Sequence, residues 1–292
     1  MSAFTIKDLE NLSGIKAHTI RIWEQRYSFL NPQRTETNIR FYTNDELQKL
    51  LNVALLNKYG YKISHIDRMS SAEITEKILA LTEAEAQQER VVNELIHCMA
   101  ELRMEEFEEI IDNYVRVKDI EKTILQILFP FLERIGILWL TDHISPAQEH
   151  LVSNIIRQKL VVGIDSIKCK TCSPKTMLLF LPEGEHHEMG LLFVHFLLKT
   201  KGIKVLYLGA NVPLKDVCSV VAMKSPDILY THLTSCCQNF NFDKFILNTH
   251  NRMPGRQVVV SGMLTQCYHK KIPASFSFKR SLGEVREFIS TL

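Results

Sequence analysis

Residues 184–190 read Gly-Glu-His-His-Glu-Met-Gly. Within them, Glu185-x-His187-x-x-Gly190 joins a metal-ligating side chain to a carboxylate two residues before it and a glycine three residues after it. An imidazole coordinates a metal through one ring nitrogen. A carboxylate at this spacing can accept the other ring N–H, which fixes the tautomer and the ring orientation. Gly190 has no Cβ, so its backbone can approach a bulky ligand closely. Read alone, such a tract is more often a solvated His-His pair in a loop. Other reactive residues fit less. Cys169-Lys170-Thr171-Cys172 has no second cysteine pair to complete a zinc site. The adjacent Cys236 and Cys237 read as a loop feature. No nucleophile–base arrangement stands out, so the chain is not expected to be an enzyme.

A second set of residues lies near the N-terminus. A helix that reads DNA presents side chains to base edges and basic groups to phosphates at its margins. The segment from His18 to Arg26 offers His18, Thr19, Arg21, Ile22, Gln25 and Arg26. Arg34 and Arg40 follow at the two ends of a short polar stretch, where a hairpin arm would carry them to the backbone or the narrow groove.

The elements that must position these residues follow from periodicity and punctuation. Thr5 caps a helix over Ile6–Leu12, Ser13-Gly14 breaks it, and a second helix runs to Arg26. Asn31-Pro32 ends this region, residues 34–42 form a two-stranded hairpin, and further helices cover about 46–58 and 63–69. From 71 to 165 apolar residues recur at three and four, as in Val92, Leu95, Ile96, Met99 and Phe107, Ile110, Ile111, Tyr114. Four helices fit, about 83–101, 103–116, 118–140 and 145–165, and their short joints imply a four-helix bundle. After Ser173-Pro174 short apolar runs alternate with helices: 177–181, 205–208, 227–230, 258–260 and 276–278. That alternation implies a parallel sheet covered on both faces, with ligands beyond the carboxyl ends of its strands. Gly209-Ala210-Asn211-Val212-Pro213 reads as a turn closing the second strand. The expected fold is therefore multidomain, α plus α/β: a winged helix-turn-helix over 1–70, a four-helix bundle over 71–170 and a Rossmann-like parallel domain over 171–292.

Charge supports three modules. The net charge is only +2, yet residues 1–69 carry ten Lys and Arg against seven Asp and Glu, and residues 70–165 carry nine against eighteen. An acidic middle between basic ends suggests modules with different tasks. Apolar residues make up 46% of the 292, enough for a substantial core. No apolar run approaches the roughly 18 residues of a membrane span, and no secretory signal is recognised at the start. Seven scattered cysteines in a chain of this length fit a reducing cytoplasm.

The N-terminal residues carry a resemblance. Phe4-Thr5-Ile6, Leu12-Ser13-Gly14, His18-Thr19-Ile20-Arg21-Ile22-Trp23-Glu24-Gln25-Arg26-Tyr27, Pro32, Arg34-Thr35, Asn38 and Arg40-Phe41-Tyr42 closely resemble the MerR family of transcription regulators over about 65 residues. The resemblance implies a recognition helix containing Thr19–Arg26 and a wing over 34–42. The DNA-facing set it implies is Lys16, His18, Thr19, Arg21, Arg26, Arg34, Arg40 and Tyr42, with Trp23 in the module's own core. The Trp-Glu-x-Arg-Tyr form resembles the branch that carries a cobalamin-binding domain.

Downstream motifs agree with that branch. Glu185-x-His187-x-x-Gly190 resembles the Asp/Glu-x-His-x-x-Gly signature of cobalamin-binding domains, in which the histidine replaces the cofactor's own base as lower ligand to cobalt. Thr231-His232-Leu233 and Ser261-Gly262 fall at the spacing of that family's Ser-x-Leu and Gly-Gly motifs. Thr231 keeps the hydroxyl that would bond the displaced base. Ser261 replaces a glycine and puts a side chain where the nucleotide tail enters. Trp139, nine residues, then Glu149-His150 resembles the signature of light-sensing members, which implies that the bundle covers the cofactor's upper face, with Trp139 shielding the adenosyl group. Those members carry a histidine just after the tryptophan; Leu140 stands there, so a two-histidine light product is not expected.

The expected function is a DNA-binding transcription regulator, a repressor by resemblance. Cobalamin, adenosylcobalamin in a light-sensitive form, would control its operator binding. The cofactor-binding set is Glu185, His187, Gly190, Trp139, Glu149, His150, Thr231, Leu233, Ser261 and Gly262, with His187 as the cobalt ligand. Double-stranded DNA and further copies of the chain, as a dimer or tetramer, are the expected partners, and no membrane. Two alternatives remain: a regulator whose degenerate sensor domain binds a protein or another small molecule, and a corrinoid methyl-transfer module.

Overall fold

The computed structural model describes residues 4–35, 38–139, 145–168, 173–234 and 240–292, without the side chains of residues 137–139. The side chain of Trp139, together with Leu140, the pair Cys169 and Cys172, and Cys236-Cys237, lies outside this set. The chain divides into two compact units, Met1–Ile156 and Arg157–Leu292.

The first unit begins with α1 (Ile6–Ser13) and α2 (Ala17–Arg26). Thr5 starts α1 with a reciprocal cap: its hydroxyl accepts from Asp8 N at 3.3 Å, and Thr5 N donates to the Asp8 carboxylate at 2.6 Å, satisfying two of the donors a helix start leaves open. Gly14 ends the helix at φ +72°, a left-handed conformation that glycine adopts without a Cβ penalty. Glu10 then bonds Ala17 N at 3.2 Å and caps α2 from the helix before it. The wing follows as β1 (Gln33–Arg34) and β2 (Arg40–Phe41), antiparallel.

Three helices lead into the bundle: α3 (Asn44–Lys58), α4 (Ile63–Ile66) and α5 (Ser71–Leu79). The bundle holds α6 (Ala84–Ala100), α7 (Met104–Lys118), α8 (Ile120–Thr123), α9 (Phe129–Trp139) and the start of α10 (Pro146–Ser166). A π turn at Ile124–Leu128 joins α8 to α9. Pro130 explains it. Proline has no N–H to bond the carbonyl four residues back, and the preceding Phe129 N–H reaches five residues back to Ile124. The ladder widens by one residue instead of breaking. Helix α6 packs on α3, and α9 packs on α1. One ion-pair network spans the same contacts. Arg134 of α9 bonds Asn93 at 2.6 Å and Glu89 at 3.1 Å on α6, and Glu89 also meets Lys58 of α3 at 2.6 Å.

The second unit is built on a five-stranded sheet in the order β4-β3-β5-β6-β7, every pairing parallel. Its strands are β3 (Thr176–Pro182), β4 (Lys204–Val212), β5 (Ile228–His232), β6 (Gln257–Ser261) and β7 (Phe276–Lys279). Helices α11 (Met189–Thr200), α12 (Leu214–Lys224), α13 (Phe242–Arg252), α14 (Met263–Gln266) and α15 (Leu282–Ser290) fill the intervals. Numbered from its own first strand, the sheet has the doubly wound order 2-1-3-4-5, so the direction of winding reverses between β3 and β5. Residues 178–181 are fully buried, as a strand covered on both faces requires. β4 runs on to Val212, through the segment expected to be a turn. Two irregularities in its register with β3 and positive φ at Gly209 and Asn211 let it curl while staying paired.

Among the described residues, no helix is long and apolar enough to cross a membrane. The bundle core rests on Phe107 and Phe131, both fully buried and packed edge to face at 5.3 Å. Phe131→Ala is expected to cost about 3–5 kcal/mol, the usual range for emptying a buried aromatic site. A matching drop in the urea midpoint at unchanged slope checks this.

Candidate functional site

The loop between β3 and α11 carries the predicted Glu185 and His187, and β5 ends beside it at the sheet's switch point. Glu185 is almost fully buried. Its Oε1 accepts from His187 N at 2.9 Å and meets His187 Nδ1 at 2.6 Å, while Oε2 accepts from Thr234 N at 3.1 Å. A buried carboxylate has to be satisfied in this way. The bond to Nδ1 fixes the tautomer. In the neutral ring this keeps the proton on Nδ1 and the lone pair on Nε2, on a side chain that stays 50% exposed. That is the arrangement of a metal-ligating histidine oriented by a carboxylate.

The curled end of β4 braces the loop. Gly184 N donates to Asn211 Oδ1 at 2.9 Å, and Asn211 N donates to Glu185 O at 3.1 Å. The sequence reading passed over Asn211 because nothing local distinguishes it from an ordinary turn residue. It holds a φ of +56°, which asparagine tolerates more readily than most residues.

Thr231 and His232 end β5 and Leu233 follows it, the strand running two residues past the expected end at Tyr230. Strand alternation divides them. Leu229 and Leu233 belong to the apolar cluster with Val217 of α12 and Phe245 of α13, and Thr231 shares their face. It is fully buried, and its Oγ1 has no hydrogen-bond partner among the described residues. Tyr230 and His232 face the other way. Tyr230 OH donates to Ser261 Oγ at 2.6 Å, and Ser261 Oγ lies 2.8 Å from His232 Nδ1. Ser261 Oγ is thus shared between the tyrosine hydroxyl and the imidazole. The imidazole lies flush against Gly190: a Cβ there would fall 2.4 Å from His232 Cδ2. Burial pushes the His232 pKa down to about 4, with Glu185 opposing the shift. Gly262 is fixed by space as well. At φ +98°, a Cβ would sit 2.3 Å from Leu233 O.

Behind the loop, Tyr207 OH donates to Glu188 Oε1 at 2.9 Å, and Glu188 pairs with Arg157 at 2.8 Å. Tyr207 stacks on His195 of α11 at 5.0 Å. The remaining predicted cofactor residues lie in the first unit. Glu149 and His150, 3.1 Å apart, sit in the first turn of α10, and Glu149 also accepts from Ser153 at 2.6 Å. The His150 side chain is 73% exposed. Among the described residues no three His, Cys, Asp or Glu side chains cluster as a metal cage.

In the helix-turn-helix, Lys16, His18, Arg21 and Arg26 are exposed along α2, and Thr19 is half-buried. Ile20 and Trp23 are buried on its inner face. Arg34 is exposed on the wing and bonds Asn38 at 2.6 Å. Arg40 pairs with Glu24 at 3.3 Å. Tyr42 corrects its expected DNA-facing role. It is fully buried, its hydroxyl donates to Glu24, and its backbone bridges Phe4. Tyr42 locks the wing to α2 from within the module.

His195 yields a pH prediction. Its Nδ1 is buried without a partner among the described residues, and burial, then Lys199, lowers its pKa from 6.5 to about 4. The unfolded chain binds the proton more tightly, so this contribution is complete above about pH 6.5 and is lost as pH falls towards about 4. The thermal midpoint of a His195→Phe variant should therefore fall less than that of the wild type between pH 6.5 and 4.5.

Comparison with known proteins identifies the family. The MerR HTH family regulatory protein model matches residues 4–73, and the B12 binding domain model matches residues 91–162. The HTH-type transcriptional repressor CarA of Myxococcus xanthus is 32% identical over 227 residues, covering 77% of this chain and 74% of the relative. The repressor CarH of the same organism is 26% identical over 267 residues, covering 89% and 88%. Among solved structures, the monomethylamine corrinoid protein of Methanosarcina barkeri superposes with a TM-score of 0.58 at 14% identity, covering 70% of this chain and all of that one; at that identity the likeness concerns the fold. The chain belongs to the family of MerR-type helix-turn-helix transcription regulators with a B12-binding domain that includes CarA and CarH.

Proposed function

We propose that this protein is a transcriptional repressor whose hold on operator DNA depends on bound cobalamin. The observation that carries the reading is the Glu185–His187 pair at the switch point of a parallel sheet, in a chain that also bears a MerR-type DNA-binding module. The residues fit the lower side of a corrinoid. His187 Nε2 would ligate cobalt in place of the cofactor's own base, Glu185 would hold the ring and its tautomer, and Gly190 would let the backbone close on the ligand. Ser261 and Gly262 would wall the same side, Thr231 and Leu233 would back them from the opposite face of β5, and Trp139, Glu149 and His150 are included as further cofactor contacts. The module boundaries near residues 70 and 170 are part of the proposal, as are the cytoplasmic location and assembly into a dimer or tetramer.

Adenosylcobalamin is the favoured form, because the Trp139-x9-Glu149-His150 pattern resembles that of light-sensing members. When bound, it supplies a cobalt–carbon bond that visible light breaks. The protein's own part is linkage. A ligand that prefers the DNA-competent assembly stabilises that assembly by its differential affinity. Lys16, His18, Thr19, Arg21 and Arg26 on α2, with Arg34 and Arg40 on the wing, would make the DNA contacts. Phosphate contacts position such a module and base contacts specify its site.

Two outcomes are expected in gel-shift titrations on DNA from the protein's own promoter region. Saturating adenosylcobalamin in the dark should raise operator affinity at least tenfold, and illumination should remove that gain. Equal affinity with cofactor, without it and after light would overturn the coupling. Arg21→Ala should weaken binding about tenfold or more, the order of one lost base or phosphate contact.

A further inference from the structure

This inference rests on the cobalamin reading and concerns which corrinoid the second unit accepts. A corrinoid ligated by His187 has released its own base from the same face of the ring. The base stays tethered to that face by its nucleotide loop, so it must run into the protein beside the histidine. The space next to His187 lies between the first turn of α11, at Gly190, and the carboxyl ends of β5 and β6. His232 fills it. Its ring is pressed against Gly190, with Cδ2 and Nε2 both 2.4 Å from where a Cβ would stand. Its Nδ1 is held 2.8 Å from Ser261 Oγ, which accepts from Tyr230 OH at 2.6 Å. Ser261 and Tyr230 are each 1% exposed or less. We propose that His232, clamped by Ser261 and Tyr230, is a specificity-determining plug that disfavours corrinoids with a full nucleotide tail and favours those without one.

The clamp makes the plug costly to move. Turning the imidazole out would break a buried hydrogen-bond chain and leave Ser261 Oγ without its imidazole partner, and unmade buried bonds cost more than made ones gain. Ser261 supplies the anchor. A glycine there would leave His232 Nδ1 and Tyr230 OH without their shared partner and would open the channel by one side chain. Cobalamin then enters only by displacing His232, whereas cobinamide, which has the corrin ring but no nucleotide loop, leaves the plug seated.

Dark titrations of the full chain with adenosylcobalamin and with adenosylcobinamide, followed by visible absorbance, test this. The wild type is expected to bind adenosylcobinamide at least tenfold more tightly. His232→Ala and Ser261→Gly should each tighten adenosylcobalamin at least tenfold, about 1.4 kcal/mol, and His232→Ala should change adenosylcobinamide less than about threefold. Circular dichroism identifies a variant that has not folded, and the other variant then decides. Equal wild-type affinities, or a folded variant with the wild-type ratio, would overturn the plug. If the wild type binds neither corrinoid and His187→Ala behaves identically, the cobalamin reading falls first, an outcome distinct from a plug that fails while both corrinoids still bind.

Discussion

A negative charge buried at the end of a parallel sheet has few ways of being tolerated. Glu185 accepts from the backbone of His187 and of Thr234 and meets the His187 ring. These bonds connect the loop after β3 to the end of β5 and orient one exposed imidazole. The requirement propagates outward. Asn211 has to reach the loop from β4, so β4 curls through two irregular pairings. Gly262 has to lie under the Leu233 backbone, so it takes a φ that other residues avoid. Much of the local backbone follows from keeping one carboxylate satisfied.

The first unit has a comparable organising contact. Glu89 is shared between Lys58 of α3 and Arg134 of α9, so the helix that follows the wing and the bundle helix that ends at Trp139 hold the same carboxylate. Partly exposed ion pairs contribute little stability individually. Their importance here is geometric, because they fix α3 and α9 against α6, while the buried Phe107–Phe131 pair and its neighbours hold the bundle. Within the module, Glu24 of α2 accepts from Tyr42 and pairs with Arg40, which ties the wing to α2.

Much of this was legible in the sequence. Apolar runs of four and five residues between helices marked all five strands of the sheet to within a few residues, because strands buried on both faces leave no polar alternation to confuse. The four bundle helices followed from three-and-four spacing. The Glu185–His187 chemistry was visible because a two-residue spacing alone allows the carboxylate to reach the ring. Contacts between distant segments were not visible. Asn211 looked like a turn, His232 looked like the variable position of a motif, and Tyr42 looked exposed because a short wing strand gives no sign of which face meets α2. Ser261 was legible as a side chain in place of a glycine, but its contact with His232, which presses on Gly190, depends on three segments meeting in space.

The central claim is that His187, oriented by Glu185, ligates cobalt. The most direct test is the visible spectrum of the full-length protein titrated in the dark with adenosylcobalamin, beside His187→Ala and Glu185→Gln. The account predicts a saturable base-off, histidine-ligated spectrum for the wild type, its loss in His187→Ala, and a weakened version in Glu185→Gln, by the ten- to hundredfold typical of losing a carboxylate that orients a ligand. A wild-type spectrum that remains that of free adenosylcobalamin at saturation, or one unchanged in His187→Ala, would contradict it.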